Sequence, residues 1–257
     1  MRIFVLKKST IIRAVVFIVL LAAAVIYTQA IASDSAPAIG EAGKEMPVCS
    51  VETDDPVVAI TIDTAFGDDY TDEILKILDE KKVKATFFVL GLWAEKNPAK
   101  LDAIVKAGHE IANHSMSHTR YTDMTPEQIK EDVGKANENI KKATNKENIF
   151  VRMPYGAFDD KTIKTLQEEG YIPVKWSLDS KDWKQAGKEA LKNNVINNLK
   201  KGSIIIFQNN IMDTSQALGE IIDEIKKRDY KTATLSEMML TDNFIIDDNG
   251  VQKSFSD

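Results

Sequence analysis

The stretch VVAITIDTAFGDDYTDEIL, Val57 to Leu75, decides the fold. Its first six residues are apolar or β-branched at odd and even positions alike, the pattern of a strand buried on both faces. A short polar segment follows, and over 71–81 the apolar spacing changes to that of an amphipathic helix. Strand, loop and helix together form the repeating unit of a parallel sheet covered by helices.

Working outward, the unit recurs. Strands are predicted at 85–90 (ATFFVL), 110–113 (EIAN), 149–152 (IFVR), 171–176 (YIPVKW), 203–207 (SIIIF) and 230–235 (YKTATL). Helices are predicted between them at 94–107, 125–143, 159–169, about 187–200 and 214–228. Seven such units in about 180 residues point to a closed barrel, with an open doubly wound sheet as the alternative. No glycine-rich dinucleotide fingerprint or phosphate loop follows the first strand, which argues against a nucleotide site. Residues 241–257 read as a polar tail with one apolar patch, FII.

The chain starts differently. Arg2, Lys7, Lys8 and Arg13 precede the uncharged run AVVFIVLLAAAVI, Ala14 to Ile26, and no acidic residue appears before Asp34. That is the pattern of an export segment over 1–32. The small residues of AIAS, 30–33, offer cleavage after Ala32; a run continued through YTQAIA reaches spanning length and would serve as an uncleaved membrane anchor. Residues 33–55 read as a spacer, and the domain is expected from Pro56 to Leu240. The net charge is −6, and removing the four cations of the export segment leaves −10. With its only basic cluster in that segment, the chain is not built for nucleic acid. The single cysteine, Cys49, excludes an internal disulfide and any cysteine-based metal site.

In parallel α/β folds the chemistry collects at the C-terminal ends of the strands. There the sequence places Asp63, then Asn113 and His114 with His118 four residues on, then RMPYG (152–156), WSLDSKDW (176–183) and finally Gln208 in KGSIIIFQNN (201–210). Two imidazoles four residues apart can meet one metal ion from a helix face or across a tight turn, or they can be a structural pair. HSMSH is not the zinc-protease motif, because Ser115 stands where its general base would be. His109, just before its strand, is expected to pack structurally. A strand-end Asp63 either caps the next helix or takes a proton from metal-bound water. Arg152 is either a surface ion-pair residue or holds Asp63 ionised. Tyr155, Trp176 and Trp183 are core aromatics or, beside a polar cleft, platforms for a sugar ring; Trp176 is read as core.

From Val57 to Leu240 the motifs AITID, KATFFVLG, HEIANHSMSH, RMPYG, DSKDW and GSIIIFQN occur in one order. In that order the chain resembles the polysaccharide deacetylases of carbohydrate esterase family four, the NodB-homology domain, and within them the sporulation and cell-wall subgroup. The resemblance implies a distorted (β/α)7 barrel. It makes His114 and His118 ligands of a divalent metal, zinc first with cobalt or manganese as alternatives, and Asp63 the catalytic base. It also sets Arg152 to orient Asp63, Asp179 behind the general acid, and Tyr155, Trp183 and Gln208 along the substrate groove. The implied reaction is hydrolysis of an N-acetyl or O-acetyl group from a glycan, with peptidoglycan outside the membrane as the substrate. Two positions depart from the family pattern: Thr64 replaces the third metal ligand and Gln208 replaces the general-acid histidine. Asp68 or Asp69 is expected either to supply the missing ligand or to cap the following helix. The two departures leave a second expectation open, a glycan-binding pseudoenzyme of the same fold.

Overall fold

The computed structural model describes residues 45–67, 70–145 and 147–255. The export segment at 1–32, the spacer up to residue 44 and the pair Asp68–Asp69 lie outside the described residues. Among the described residues no helix is long and apolar enough to cross a membrane.

The central strand β2 (Val57–Thr64) is buried along almost its whole length, as its β-branched run requires. Around it lie β3 (Thr86–Val89), β4 (Glu110–Asn113), β5 (Phe150–Val151), β6 (Ile172–Pro173), β7 (Leu178–Asp179) and β8 (Ile204–Gln208), every pairing parallel, in the order β6-β5-β4-β3-β2-β8-β7. A further strand, β9 (Lys231–Ala233), pairs with the foot of β2. Helices α1 (Thr71–Glu80), α2 (Gly91–Lys96), α3 (Pro98–Lys106), α4 (Pro126–Thr144), α5 (Asp160–Glu168), α6 (Lys188–Asn198) and α7 (Met212–Lys227) make the connections. This is the distorted (β/α)7 barrel that the resemblance implies, with the sheet open between its edge strands β6 and β7 where the repeat alone pointed to closure. Two cores follow from the two-residue side-chain period of a strand. Val58, Ile60, Ile62, Phe87, Val89, Ile205 and Phe207 face helices, whereas Ala59, Phe88, Ala112, Phe150 and Ile204 fill the barrel lumen.

Several boundaries differ from expectation, each for a local reason. The helix predicted over 94–107 is two, because Pro98 starts α3 and disfavours helical backbone at Asn97. The strand predicted over 171–176 shrinks to β6, and its continuation β7 pairs with β8 on the far edge of the sheet. The strand predicted over 230–235 stops at Ala233, where Thr234 opens the short helix α8 (Leu235–Met238) with a capping box.

The spacer and the tail are larger corrections. Residues 45–55 belong to the domain: Val48 is fully buried, donates to the Pro173 carbonyl at 2.8 Å and accepts from Lys175 N–H at 2.7 Å. Val51 donates to the Gly202 carbonyl at 3.0 Å. This strip fills the seam between the edge strand β6 and the foot of β8, where the barrel lacks a full strand. Gly202 is required there, since it has φ +69° and a Cβ on it would lie 1.7 Å from the Val51 carbonyl oxygen. The 241–257 segment is no tail, because β10 (Phe244–Ile246) and β11 (Val251–Ser254) form a small sheet with β1 (Ser50–Val51). Burying a valine such as Val48 or Val51 contributes about 1.5–3 kcal/mol, which holds the strip although its composition is polar. Cys49 is half-buried against Gly250, and burial pushes its thiol up to about 11, so it is not a reactive cysteine.

Candidate active site

Strand periodicity sets which side chains reach the rim of the lumen. Ala59 faces inward, so Asp63 four residues on does too; Ala112 leads to His114, Phe150 to Arg152 and Ile204 to Gln208. The parallel ladder continues past the strands, with His114 N–H donating to Val89 and Arg152 N–H to Asn113, at 3.0 and 2.9 Å. Four strand ends therefore deliver a carboxylate, an imidazole, a guanidinium and a carboxamide to one opening.

Arg152 is fully buried, with its guanidinium 3.8 Å from the Phe88 ring centroid. Its Nη1 donates to Asp63 Oδ1 at 2.7 Å and its Nη2 to the Lys175 carbonyl at 2.8 Å. Burial pulls the guanidinium below its usual value, and the charge and hydrogen bond of Asp63 oppose this. The other carboxylate oxygen, Asp63 Oδ2, lies 3.5 Å from His114 Nε2. His114 Nδ1 donates to the Arg152 carbonyl at 2.9 Å, which makes Nε2 the lone-pair nitrogen of the neutral ring and turns it to the carboxylate side.

The two histidines meet across a turn. Ser115 and His118 both have left-handed backbone, at φ +70° and +60°, a strained arrangement for residues with a Cβ. Side chains hold it in place: Asn113 Oδ1 accepts from Ser115 N–H at 2.7 Å and Ser115 Oγ from His118 N–H at 2.8 Å. Asp132 on α4 accepts three bonds from the same loop, from Met116 N–H (2.8 Å), Ser117 Oγ (2.8 Å) and Tyr121 Oη (2.9 Å). The His114 and His118 rings stand 5.0 Å apart. Burial, assisted by His114, pushes His118 down to about 4, so it is neutral at pH 7, and its buried Nδ1 has no protein partner. Phe66 and Tyr155 pack edge-on against the His118 ring at 4.8 and 4.6 Å, and the Arg120 guanidinium lies 4.2 Å from the Tyr155 centroid.

On the other side of β2, Gln208 is the register partner of Asp63. Its N–H donates to Asp182 Oδ2 at 2.7 Å. Asp182 is buried and also accepts from Thr214 Oγ1 at 2.7 Å and Trp183 N–H at 2.8 Å. Burial pushes Asp182 up to about 6 against the pull of these three donors. Asp179 pairs with Ile206, two residues below Gln208, and its Oδ1 accepts from Lys181 N–H at 2.7 Å. Trp183 is exposed beside it. His109 is remote from all of these, buried with Nδ1 accepting from Ala85 N–H.

The comparisons with known proteins agree with this geometry. A family model described as polysaccharide deacetylase matches residues 50–174. A peptidoglycan-N-acetylglucosamine deacetylase of Bacillus cereus is 34% identical over 194 residues, covering 74% of this chain and 91% of that protein. The chain belongs to the polysaccharide deacetylase family. Family members are hydrolases that cleave the amide bond of N-acetylated glycans. The peptidoglycan-N-acetylmuramic acid deacetylase PdaA of Bacillus subtilis is 30% identical, covering 73% of each chain. A solved structure described as a family-four pseudoenzyme from Bacillus anthracis superposes with a TM-score of 0.73 at 30% identity, covering 76% of this chain and 69% of that one.

Polysaccharide deacetylases generally depend on a divalent metal, and the donor set here fits one in kind. His118 Nδ1 is a buried ring nitrogen with no hydrogen-bond partner among the described residues, His114 Nε2 faces the Asp63 carboxylate, and the Arg152 carbonyl fixes the His114 tautomer. Among the described residues no third histidine, cysteine or carboxylate completes a ligand group. Thr64, at the family's third-ligand position, is fully buried.

Three contributors escaped the sequence reading. Asp132 sits in a helix, Asp182 at the start of a single helical turn and Phe66 in a polar turn, and each acts through partners that lie in other elements of the fold.

Proposed function

We propose that this protein is an exported, divalent-metal-dependent deacetylase of cell-wall glycan, acting on the acetylated amino sugars of peptidoglycan. One observation carries the reading: a carboxylate pinned through one oxygen by a fully buried arginine, with its other oxygen 3.5 Å from an imidazole whose tautomer is fixed. Asp63 is the base that takes a proton from the attacking water, and Arg152 keeps it ionised and oriented. His114 and His118 would hold the metal, zinc before cobalt or manganese, with a third ligand from Asp68 or Asp69. When bound, the metal supplies Lewis-acid polarisation of the acetyl carbonyl. Tyr155 and Trp183 wall the sugar groove from opposite sides. Gln208 offers an N–H to the leaving group and no transferable proton; the carboxylate that bonds it from behind is Asp182, while Asp179, expected there, pairs with Ile206 two residues below. The export segment at 1–32 and the peptidoglycan substrates of the relatives support a site of action on the outer side of the membrane.

A second reading is favoured by Thr64 and Gln208 and by the likeness to a structure described as a pseudoenzyme. It is a glycan-binding protein that keeps the groove and has lost turnover. Acetate release from N-acetylchitooligosaccharide and peptidoglycan by the full chain, with zinc, cobalt or manganese added, separates the two. The deacetylase reading expects release that falls at least about 10²-fold in Asp63→Asn. Glycan binding with no acetate under any metal establishes the second reading instead.

A further inference from the structure

Any acetyl hydrolysis at this rim has two sides. Asp63 serves the side of the attacking water, and the leaving group departs on the side of its register partner Gln208. A carboxamide donates a hydrogen bond but cannot give up its proton at ordinary pH. Among the described residues, the groups near Gln208 do not replace the missing acid. Asp182 lies behind the wall with its oxygens engaged by the N–H groups of Trp183 and Gln208 and by the Thr214 hydroxyl. Asp179 Oδ1 accepts the Lys181 N–H. The Lys175 ammonium packs at 5.4 and 5.5 Å from the Phe158 and Trp176 rings, and burial pulls it below its usual value. His109 is buried against Ala85 at the start of β3, away from the rim, and the remaining imidazoles are the pair on the Asp63 side.

The two bonds that carry acetyl groups on glycans respond differently to this layout. An amide nitrogen must be protonated before the C–N bond breaks, because an amine anion is too basic to leave. A sugar alkoxide is far less basic, leaves with a hydrogen bond for support and takes its proton afterwards. We propose that the site is suited to an O-acetylated sugar and hydrolyses acetyl esters in preference to acetamides, an inference that rests on the deacetylase reading above. The step balances without an added reagent. Water adds its oxygen to the acetyl carbon and gives one proton to Asp63. The C–O bond then breaks, with its electron pair going to the sugar oxygen, which the Gln208 side-chain N–H supports. The sugar oxygen then takes a proton from solvent water and Asp63 returns its proton to solvent, leaving acetic acid, which ionises, a sugar hydroxyl and a regenerated carboxylate.

A chitotriose that retains its N-acetyl groups and carries O-acetyl esters on its hydroxyls presents both bonds in one molecule. Full-length protein loaded with zinc is incubated with it, and mass spectrometry before and after mild alkaline removal of the remaining esters tells which acetyl groups were lost. The expected result is ester loss at least about 10²-fold faster than amide loss, with Gln208→His raising the amide rate relative to the ester rate by about 10²- to 10⁴-fold. Gln208→Ala, which removes the N–H without adding an acid, is expected to lower the ester rate and leave the amide-to-ester ratio without that rise. Amide loss as fast as ester loss in the wild type, or a Gln208→His variant of wild-type thermal stability that raises both rates equally, overturns the proposal and leaves the deacetylase reading standing. Acetate from neither bond overturns both.

Discussion

On the β2–β5 side of the rim, Asp63, His114 and Arg152 aim their functional atoms at one another across the lumen. On the β7–β8 side, Asp182 turns its carboxylate onto the backbone N–H groups of its own wall. Both sides are strand ends of one parallel sheet and both contain a buried carboxylic acid or its partner. They differ in where the hydrogen bonds point. The first side holds its ionisable groups ready for a ligand, and the second consumes its acid in fixing the positions of Trp183 and Gln208. Strand-end position alone therefore does not make a residue chemical; its bonding partners decide.

The contrast is broken most severely at Arg152. Replacing it by Met leaves the Asp63 carboxylate unpaired in a confined site, and loss of one partner of a buried ion pair costs about 3–5 kcal/mol. Chemical denaturation of Arg152→Met should show that loss together with abolished acetate release. A variant as stable as the wild type would mean the pair positions Asp63 without holding the fold.

The next effect belongs to the opposite side. Asp182 is pushed from 3.8 to about 6 by burial, so the folded state holds its proton more tightly than the unfolded state does. The stability from this group is fully present below pH 3.8 and is lost as pH rises through 6. Asp182→Asn does not titrate. Its stability relative to wild type should rise by about 3 kcal/mol between pH 3.8 and pH 7, whatever constant offset the amide introduces. Parallel denaturation series at several pH values check this, and a pH-independent difference would put Asp182 on the same footing as an ordinary surface acid.

Returning to the histidine side, Asp132 is the carboxylate that fixes the turn carrying His114 and His118. Asp132→Asn should weaken zinc binding, measured calorimetrically, by about 10- to 100-fold while the fold persists. Unchanged affinity would show that Asn113 and Ser115 suffice to hold the two left-handed residues.

Legibility in the sequence followed the range of the interactions. The strands β2 and β3 were readable because continuous β-branched and aromatic runs have few other uses, β4 was readable from its place in the βα alternation, and strand-end positions were enough to pick out Asp63, His114, Arg152 and Gln208 as neighbours. The seam strip at 45–51 and the small sheet at 244–254 were not readable. Each is short and takes its structure from partners distant in sequence: β1 pairs with β11 about 200 residues away, and Val48 and Ser50 bridge to Val174 and Ser203. Asp132 and Asp182 were missed for the same reason: a carboxylate in EDVGKA or DSKDW looks solvated until the loop or strand end it bonds is known. The turn geometry of HSMSH was one of two alternatives left by a four-residue spacing, and it was decided by the left-handed backbone of Ser115 and His118.

The smallest expected effect sharpens the comparison at the two aromatic walls. Tyr155 is coupled to the reacting side, since its ring packs on His118 and carries Arg120 on its face. Trp183 is coupled to the scaffold side: its backbone is held by Asp182 and its ring is exposed with Lys184 Nζ 5.1 Å from the centroid. An aromatic face lost from a binding wall alone removes about 0.5–1.5 kcal/mol of uniform binding. Trp183→Ala should therefore raise KM up to about tenfold at nearly constant kcat, whereas Tyr155→Ala should raise KM and lower kcat together. If Trp183→Ala instead lowers kcat more than it raises KM, the indole acts at the reacting centre. The β7–β8 side would then contribute to chemistry through a residue that cannot donate a proton to a leaving nitrogen, and the division between the two walls would have to be redrawn around stacking rather than acid–base function.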